Sequence, residues 1–264
     1  MIRPLFALSA LTGALLAVPA FAADHPPAGK PVRVILVGDS TMATRSGYGD
    51  ALCQRFVPEV SCINLARGGR SSGSFRAEGR WDEVQKLLAD SASYSASYVL
   101  VQFGHNDQPG KPGRSTDLVT QFPANMARYA TEAKAAGAIP VLVTPLTRRS
   151  FKGPYLHDDL APWSQATRRV AAEQKVALLD LNTLSASAVQ AMGSAEADTL
   201  AQEPPPPKPA PDVNGAAGSE PQGAPKSAFD RTHVGPKGAA LFSGMVATEL
   251  ARLFPSLNAW FKKP

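Results

Sequence analysis

Residues Val32 to Ser40, VRVILVGDS, form a nearly unbroken apolar run that stops abruptly at Gly-Asp-Ser. A run so short and so continuous reads as a β-strand buried on both faces, as strands of a parallel sheet are. Four further runs share the pattern: SCINLA (Ser61 to Ala66), YVLVQFG (Tyr98 to Gly104), AIPVLVTP (Ala138 to Pro145) and VALLDL (Val176 to Leu181). Between them the apolar positions take up a helical period, over Tyr48 to Phe56, Trp81 to Leu88, Phe122 to Ala136 and Pro162 to Gln174. A last helix is expected from about Pro236 to Phe254. Its Leu241, Phe242, Met245, Val246, Leu250 and Leu253 share one face, and Pro236 suits a first-turn position. Strands alternating with helices predict an open parallel sheet covered on both sides. Such sheets bind ligands at the carboxyl ends of their strands.

Two segments break the pattern. The opening MIRPLFALSALTGALLAVPAFAADHPP has a basic start at Arg3, an apolar stretch from Leu5 to Val18, and Ala20-Phe21-Ala22 before Ala23. That is the layout of a cleaved signal peptide over residues 1–22, which leaves 23–264 as one domain and predicts a periplasmic or secreted protein. No cysteine follows the cleavage site at once, so a lipid anchor is not expected. No later apolar run approaches the roughly 20 residues of a spanning helix, so no membrane partner is expected either. The second break is Glu203 to Ala228, rich in Pro, Gly and Ala and without an apolar period. It reads as a surface loop, with a polyproline II segment docking on a partner as the alternative.

Composition sharpens this only a little. Lys and Arg number 27 against 22 Asp and Glu, and the basic residues are scattered. Scatter argues against dedicated nucleic-acid binding and is compatible with an acidic substrate. Cys53 and Cys62 are the two cysteines. In an exported chain an even count favours a disulfide, the alternative being two buried thiols, and a redox or metal site is not expected.

Candidate chemistry gathers where the first three strands end: Gly38-Asp39-Ser40-Thr41, then Gly68-Gly69-Arg70, then Gly104-His105-Asn106-Asp107. Far downstream, SAFDRTHVGPKGAALF sets Asp230 three residues before His233. A serine on a strand-to-helix turn presents its hydroxyl at the rim of the sheet, with backbone N–H groups nearby for an anion. Neutral serine is a poor nucleophile and needs an imidazole base with an orienting group. A carboxylate three residues before a histidine can bond Nδ1 and leave Nε2 free for Ser40. Gly69 offers a backbone N–H, and Asn106 a side-chain amide, to a tetrahedral oxyanion. Each part also has a plainer reading. Gly-Asp-Ser is common turn chemistry, Gly68-Gly69 allows a tight turn, His105-Asn106 suits a satisfied loop pair, and Asp230 suits a helix cap. His157 and Asp107 are read as structural.

Taken in this order, Gly-Asp-Ser, Gly before Arg-Ser, Gly-His-Asn-Asp and Asp-x-x-His resemble the SGNH (GDSL-like) hydrolase superfamily, from about Val32 to Phe254. More narrowly, GDSTMA, GGRSSGSFRAEGRWDEV, VLVQFGHND, VTPLTRR and DRTHVGPKGA resemble the rhamnogalacturonan acetylesterase family. The resemblance implies a three-layer α/β/α sandwich with a five-stranded parallel sheet, a flavodoxin-like arrangement, and neither metal nor organic cofactor. It implies Ser40 as nucleophile, Asp230 and His233 as its partners, and the Ser40 N–H, Gly69 and Asn106 as oxyanion donors. Thr41 stands where the wider superfamily has Leu, and Tyr48 where Trp is expected.

The segment SSGSFRAEGRW admits two readings. Arg70, Arg76 and Arg80 can pair uronate carboxylates while Trp81 stacks on sugar, or Glu78 pairs with an arginine and Trp81 merely starts a helix. The expected function is an exported serine esterase removing acetyl groups from a pectic polysaccharide. The alternatives are a lipid or thioester hydrolase, an envelope-glycan O-acetyl esterase, and an inactive carbohydrate-binding module.

Overall fold

A computed structural model describes residues 29–204 and 229–263. The expected signal peptide and residues 205–228 of the Pro-rich tract lie outside the described residues. Five parallel strands form one sheet: β1 (Val32–Gly38), β2 (Ser61–Asn64), β3 (Ala96–Gln102), β4 (Ile139–Val143) and, after a two-stranded hairpin of β5 (Phe151–Lys152) and β6 (Tyr155–Leu156), β7 (Ala177–Leu179). Their order is β2-β1-β3-β4-β7, so the chain winds outward from β1 in both directions. Every apolar run expected to be a strand is one.

The double burial read from β1 is real. Val32, Val34 and Leu36 enter one apolar cluster while Ile35 and Val37 enter the other. On the first face lie α1 (Gly49–Cys53), α6 (Leu181–Asp198), α7 (Pro236–Leu253) and a closing 3₁₀ turn (Pro255–Trp260). On the second lie α2 (Ser72–Ala77), α3 (Arg80–Ala89), α4 (Gln121–Ala135) and α5 (Ala161–Gln174). The α7 stripe behaves as its period predicts: Phe242, Val246 and Leu250 are fully buried.

One long helix, α6, has no clear amphipathic signature in the sequence. Its LNTLSASAVQAMGSAEAD is dominated by small residues, and Gly193 interrupts the helical backbone at φ 73°. Its start is marked more sharply, by the Asp180 side chain accepting from Thr183 N–H. Cys53, at the end of α1, is joined to Cys62 of β2 by a disulfide across 9 residues.

Candidate active site

Ser40 sits two residues past β1, on a turn closed by Met42 and Ala43 N–H groups donating to the Asp39 carbonyl. Asp230 and His233 lie on the segment that enters α7, which returns across the same rim of the sheet. The result is a bonded relay. His233 Nε2 is 2.8 Å from Ser40 Oγ, and His233 Nδ1 is 2.7 Å from Asp230 Oδ2. With Nδ1–H donating to Asp230, Nε2 is left as acceptor for the serine proton. The other Asp230 oxygen accepts the backbone N–H of Thr232 (2.8 Å) and of His233 (3.0 Å). Burial would push the Asp230 carboxyl up, but these N–H groups and the imidazole hold it below the usual range. It is therefore ionised at neutral pH.

The other expected donors stand beside this relay. Gly69 has φ 79°, a left-handed conformation that favours glycine. Among the described residues, the N–H groups of Ser40 and Gly69 are spent on no backbone carbonyl. Asn106 is buried and uses one amide hydrogen on the Arg70 carbonyl at 3.1 Å, which leaves its second for the cavity. That cavity, about 610 Å³, is lined by Ser40, Asn106, His233, Lys111 and Arg148 among others. Asp107, next to Asn106, is fully buried and accepts from Ser72 N–H (3.0 Å), Ser72 Oγ (2.6 Å) and Thr116 Oγ1 (2.9 Å). It thereby clasps the loop carrying Gly69 to the loop carrying Asn106. Burial raises its carboxyl to about 6 although those donors favour the anion.

Beneath Ser40 runs a polar chain that the sequence did not announce. Tyr48 Oη donates to Gln102 Oε1 (2.7 Å), Gln102 Nε2 to Thr41 Oγ1 (2.7 Å), and Thr41 Oγ1 to Asp39 Oδ1 (2.8 Å). His105 Nδ1 meets Asp39 Oδ2 at 3.2 Å. All five residues are buried. Burial works against the Asp39 charge, yet His105 and Thr41 keep its carboxyl below the ordinary range. Thr41 and Tyr48, the two departures from the expected pattern, are thus links of a single network: leucine at 41 would have no hydroxyl to pass on.

Arg149 is a further residue to which the sequence alone assigns no role. Its buried guanidinium donates from Nη2 to the carbonyls of Asp230 (3.0 Å) and His233 (2.7 Å), and its own N–H donates to the Arg231 carbonyl (2.9 Å). Burial lowers it to about 10, which leaves it charged at neutral pH. Arg148 beside it reaches Thr232 Oγ1 (3.1 Å) and Asp159 Oδ2 (2.5 Å). The signal was present, because Thr147-Arg148-Arg149 follows the carboxyl end of β4.

The sugar-facing expectation for SSGSFRAEGRW fails for two of its residues. Trp81 is 2 % exposed, packs edge-on against Tyr129, and spends its indole N–H on Glu132. Arg76 pairs with the same carboxylate at 2.7 Å. A large apolar ring at the start of a helix is drawn into the core more strongly than to a surface, and the half-buried Glu132 carboxylate then claims the neighbouring guanidinium. Arg70 and Arg80 both bond Glu78, at 2.9 and 2.8 Å, so the salt-bridged alternative describes them.

The sequence profile of the GDSL-like Lipase/Acylhydrolase family matches residues 36–241, which spans the strand bearing Ser40 through the start of α7. The chain belongs to that family. Within this GDSL-like group, it is 34 % identical over 179 residues to the rhamnogalacturonan acetylesterase RhgT of Bacillus subtilis (strain 168), covering 65 % of this chain and 74 % of that one. It is 32 % identical over 155 residues to the probable rhamnogalacturonan acetylesterase YesY of the same organism, covering 56 % and 69 %. Among solved structures, that of B. subtilis YxiM matches with a TM-score of 0.64 at 22 % identity, over 84 % of this chain and 57 % of that chain. A variant of Axe2, an acetyl-xylooligosaccharide esterase from Geobacillus, matches at 0.56 and 17 % identity, over 89 % and 98 %. At such identities the structural likenesses speak for the GDSL-like fold alone.

Proposed function

We propose that this acylhydrolase is an exported serine esterase that removes acetyl groups from a pectic polysaccharide, rhamnogalacturonan, through an acyl-enzyme. The observation that carries the reading is the unbroken relay from Asp230 through His233 to Ser40 Oγ, beside Gly69 and Asn106. Ser40 Oγ attacks the acetyl carbonyl as His233 Nε2 takes its proton. Asp230 holds the ring in the tautomer that can accept it and stabilises the imidazolium. The N–H groups of Ser40 and Gly69, with Asn106 Nδ2, receive the oxyanion. His233 then gives its proton to the departing sugar oxygen. A water deprotonated by the same imidazole attacks the acetyl-serine, the imidazolium returns that proton to Ser40 Oγ as its bond to the acetyl carbon breaks, and acetic acid leaves and ionises to acetate. The names of RhgT and YesY support the glycan, and the polar, cation-lined cavity suits a sugar better than an acyl chain. Each methylene of a longer chain would need about 0.8 kcal/mol of apolar burial to be rewarded.

Acetate release from a panel of acetylated polysaccharides tests this. Rhamnogalacturonan is expected to be deacetylated faster than xylan, and acetyl esters faster than octanoyl esters. Preference for octanoyl esters would favour lipid hydrolysis, and equal rates on xylan would remove the pectic assignment. Ser40→Ala and His233→Ala are each expected to lower kcat on a simple aryl acetate by at least about 10⁴-fold with the fold intact. The double variant should be little worse, since relay members act as a unit. Near-normal turnover by Ser40→Ala would sink the mechanism.

A further inference from the structure

The arginines expected to meet an acidic glycan are occupied, yet two other cations beside the site are not. Lys111 and Arg114 lie on the loop from β3 to α4, and Lys111 lines the cavity that holds Ser40. The guanidinium of Arg114 lies against Gly69, its Nη1 3.5 Å from where a Cβ there would stand. Neither side chain donates a hydrogen bond or pairs with a carboxylate among the described residues. Their loop is nevertheless held fast. Arg114 and Ser115 N–H groups donate to the Lys111 carbonyl (3.0 and 2.9 Å), Ser115 Oγ donates to Gln108 O (2.8 Å), and Thr116 N–H donates to Asp107 O (2.9 Å).

The surrounding charges leave these two uncompensated. Arg148 is neutralised by Asp159, Arg231 by Asp198, and Asp230 is committed to His233. Partial burial, followed by Arg148 and then Arg114, lowers the affinity of Lys111 for its proton, and Asp39 and Asp159 offset this only in part. Lys111 at the cavity wall and Arg114, exposed beside Gly69, are neighbouring like charges without partners, a cost that an arriving anion removes. A planar guanidinium next to an ammonium matches a carboxylate, which takes a forked pair of bonds from one and a point charge from the other.

We propose that Lys111 and Arg114 form a subsite for the carboxylate of a uronic acid residue neighbouring the acetylated sugar. This rests on the pectic reading above, and it assigns recognition of the acidic sugar to the β3–α4 loop rather than to Arg70, Arg76 or Arg80. The test is calorimetric binding of an unacetylated galacturonate oligomer to the whole protein, against a xylo-oligomer of equal length. The galacturonate oligomer is expected to bind at least about tenfold more tightly, less so as salt is raised. Lys111→Gln and Arg114→Gln should each lose about tenfold while keeping the wild-type melting temperature, and Lys111→Arg should keep most of the affinity. Affinity unchanged in both glutamine variants, equal binding of the neutral oligomer, or equally effective binding of inorganic phosphate would overturn the subsite. The two readings fail separately. A chain that deacetylates rhamnogalacturonan with unaltered binding in these variants loses only the subsite. One that binds galacturonate through them but releases no acetate from any pectic glycan loses only the substrate.

Discussion

The proposed nucleophile and its proposed base are built in opposite ways. Ser40 stands on a turn welded into the core, 8 % exposed, above a chain of buried polar side chains that ends in the Asp39–His105 pair. Asp230 and His233 sit on an irregular segment whose side chains are 46 % and 33 % exposed. That segment is held from outside itself, by Arg148 and Arg149, by Val234 N–H on the Ser46 carbonyl, and by the Asp198–Arg231 pair. Packing fixes one half, and directed hydrogen bonds to backbone carbonyls fix the other. Damage to the first should therefore register mainly as lost stability, and damage to the second mainly as lost turnover.

Outside the relay itself, Arg149→Met gives the largest expected effect. Without the clamp, the His233 ring drifts from Ser40, and displacements of about 1 Å can cost on the order of a hundredfold in kcat. An aryl acetate assay alongside thermal melting would show it. A variant that melts far lower but turns over normally would break the contrast. On the nucleophile side, reduction of Cys53–Cys62 or its replacement by two serines should cost about 2–3 kcal/mol in denaturant unfolding, as expected for a loop of 9 residues, with kcat nearly kept. A large loss of kcat at full stability would show that the edge of the sheet steers the serine after all.

Asp107→Asn sharpens the comparison through pH. A carboxyl raised from 3.8 to about 6 in the folded state contributes stability that is complete below about 3.8 and lost as pH climbs through 6. Relative to Asp107→Asn, the wild type should therefore lose on the order of 2 kcal/mol between pH 4 and pH 7. Unfolding curves of both proteins at the two pH values measure this, and a difference independent of pH would refute it. Smallest is Tyr48→Phe, which strips the donor from Gln102 Oε1 and should cost about 1–2 kcal/mol while kcat changes less than threefold. A tenfold fall in kcat without destabilisation would show the buried chain acting on the chemistry itself.

The same contrast decided what could be read in advance. All five strands, α7 and the residues of the relay were legible, because apolar runs end where the sheet exposes its carboxyl rim. Asp230 and His233 were found by their spacing rather than by any regular element. The clamp was legible only in its place at the carboxyl end of β4, since Arg149 acts on Asp230 and His233 carbonyls across 81 and 84 residues and no local pattern encodes that reach. Helix α6 escaped because its small residues give little amphipathic contrast, although Asp180 marks its start. The fates of Trp81 and Arg76 turned on Glu132, a helix away, which neither spacing nor composition could link to them. Lys111 and Arg114 stood in plain view, but as two among many scattered cations. Their place beside Ser40 and Gly69, without a carboxylate partner, sets them apart only once the fold is known.

The bond from His233 to Ser40 spans 193 residues. A contact of such long range is of the kind that forms slowly, and the segment that delivers the imidazole is tied to Ser46 and Arg149 on its way into α7. No fragment that ends before residue 233 can carry a working relay, however much of the sheet it has built. The chain is therefore inert toward esters until the segment bearing His233 has docked, so the onset of hydrolysis reports that docking.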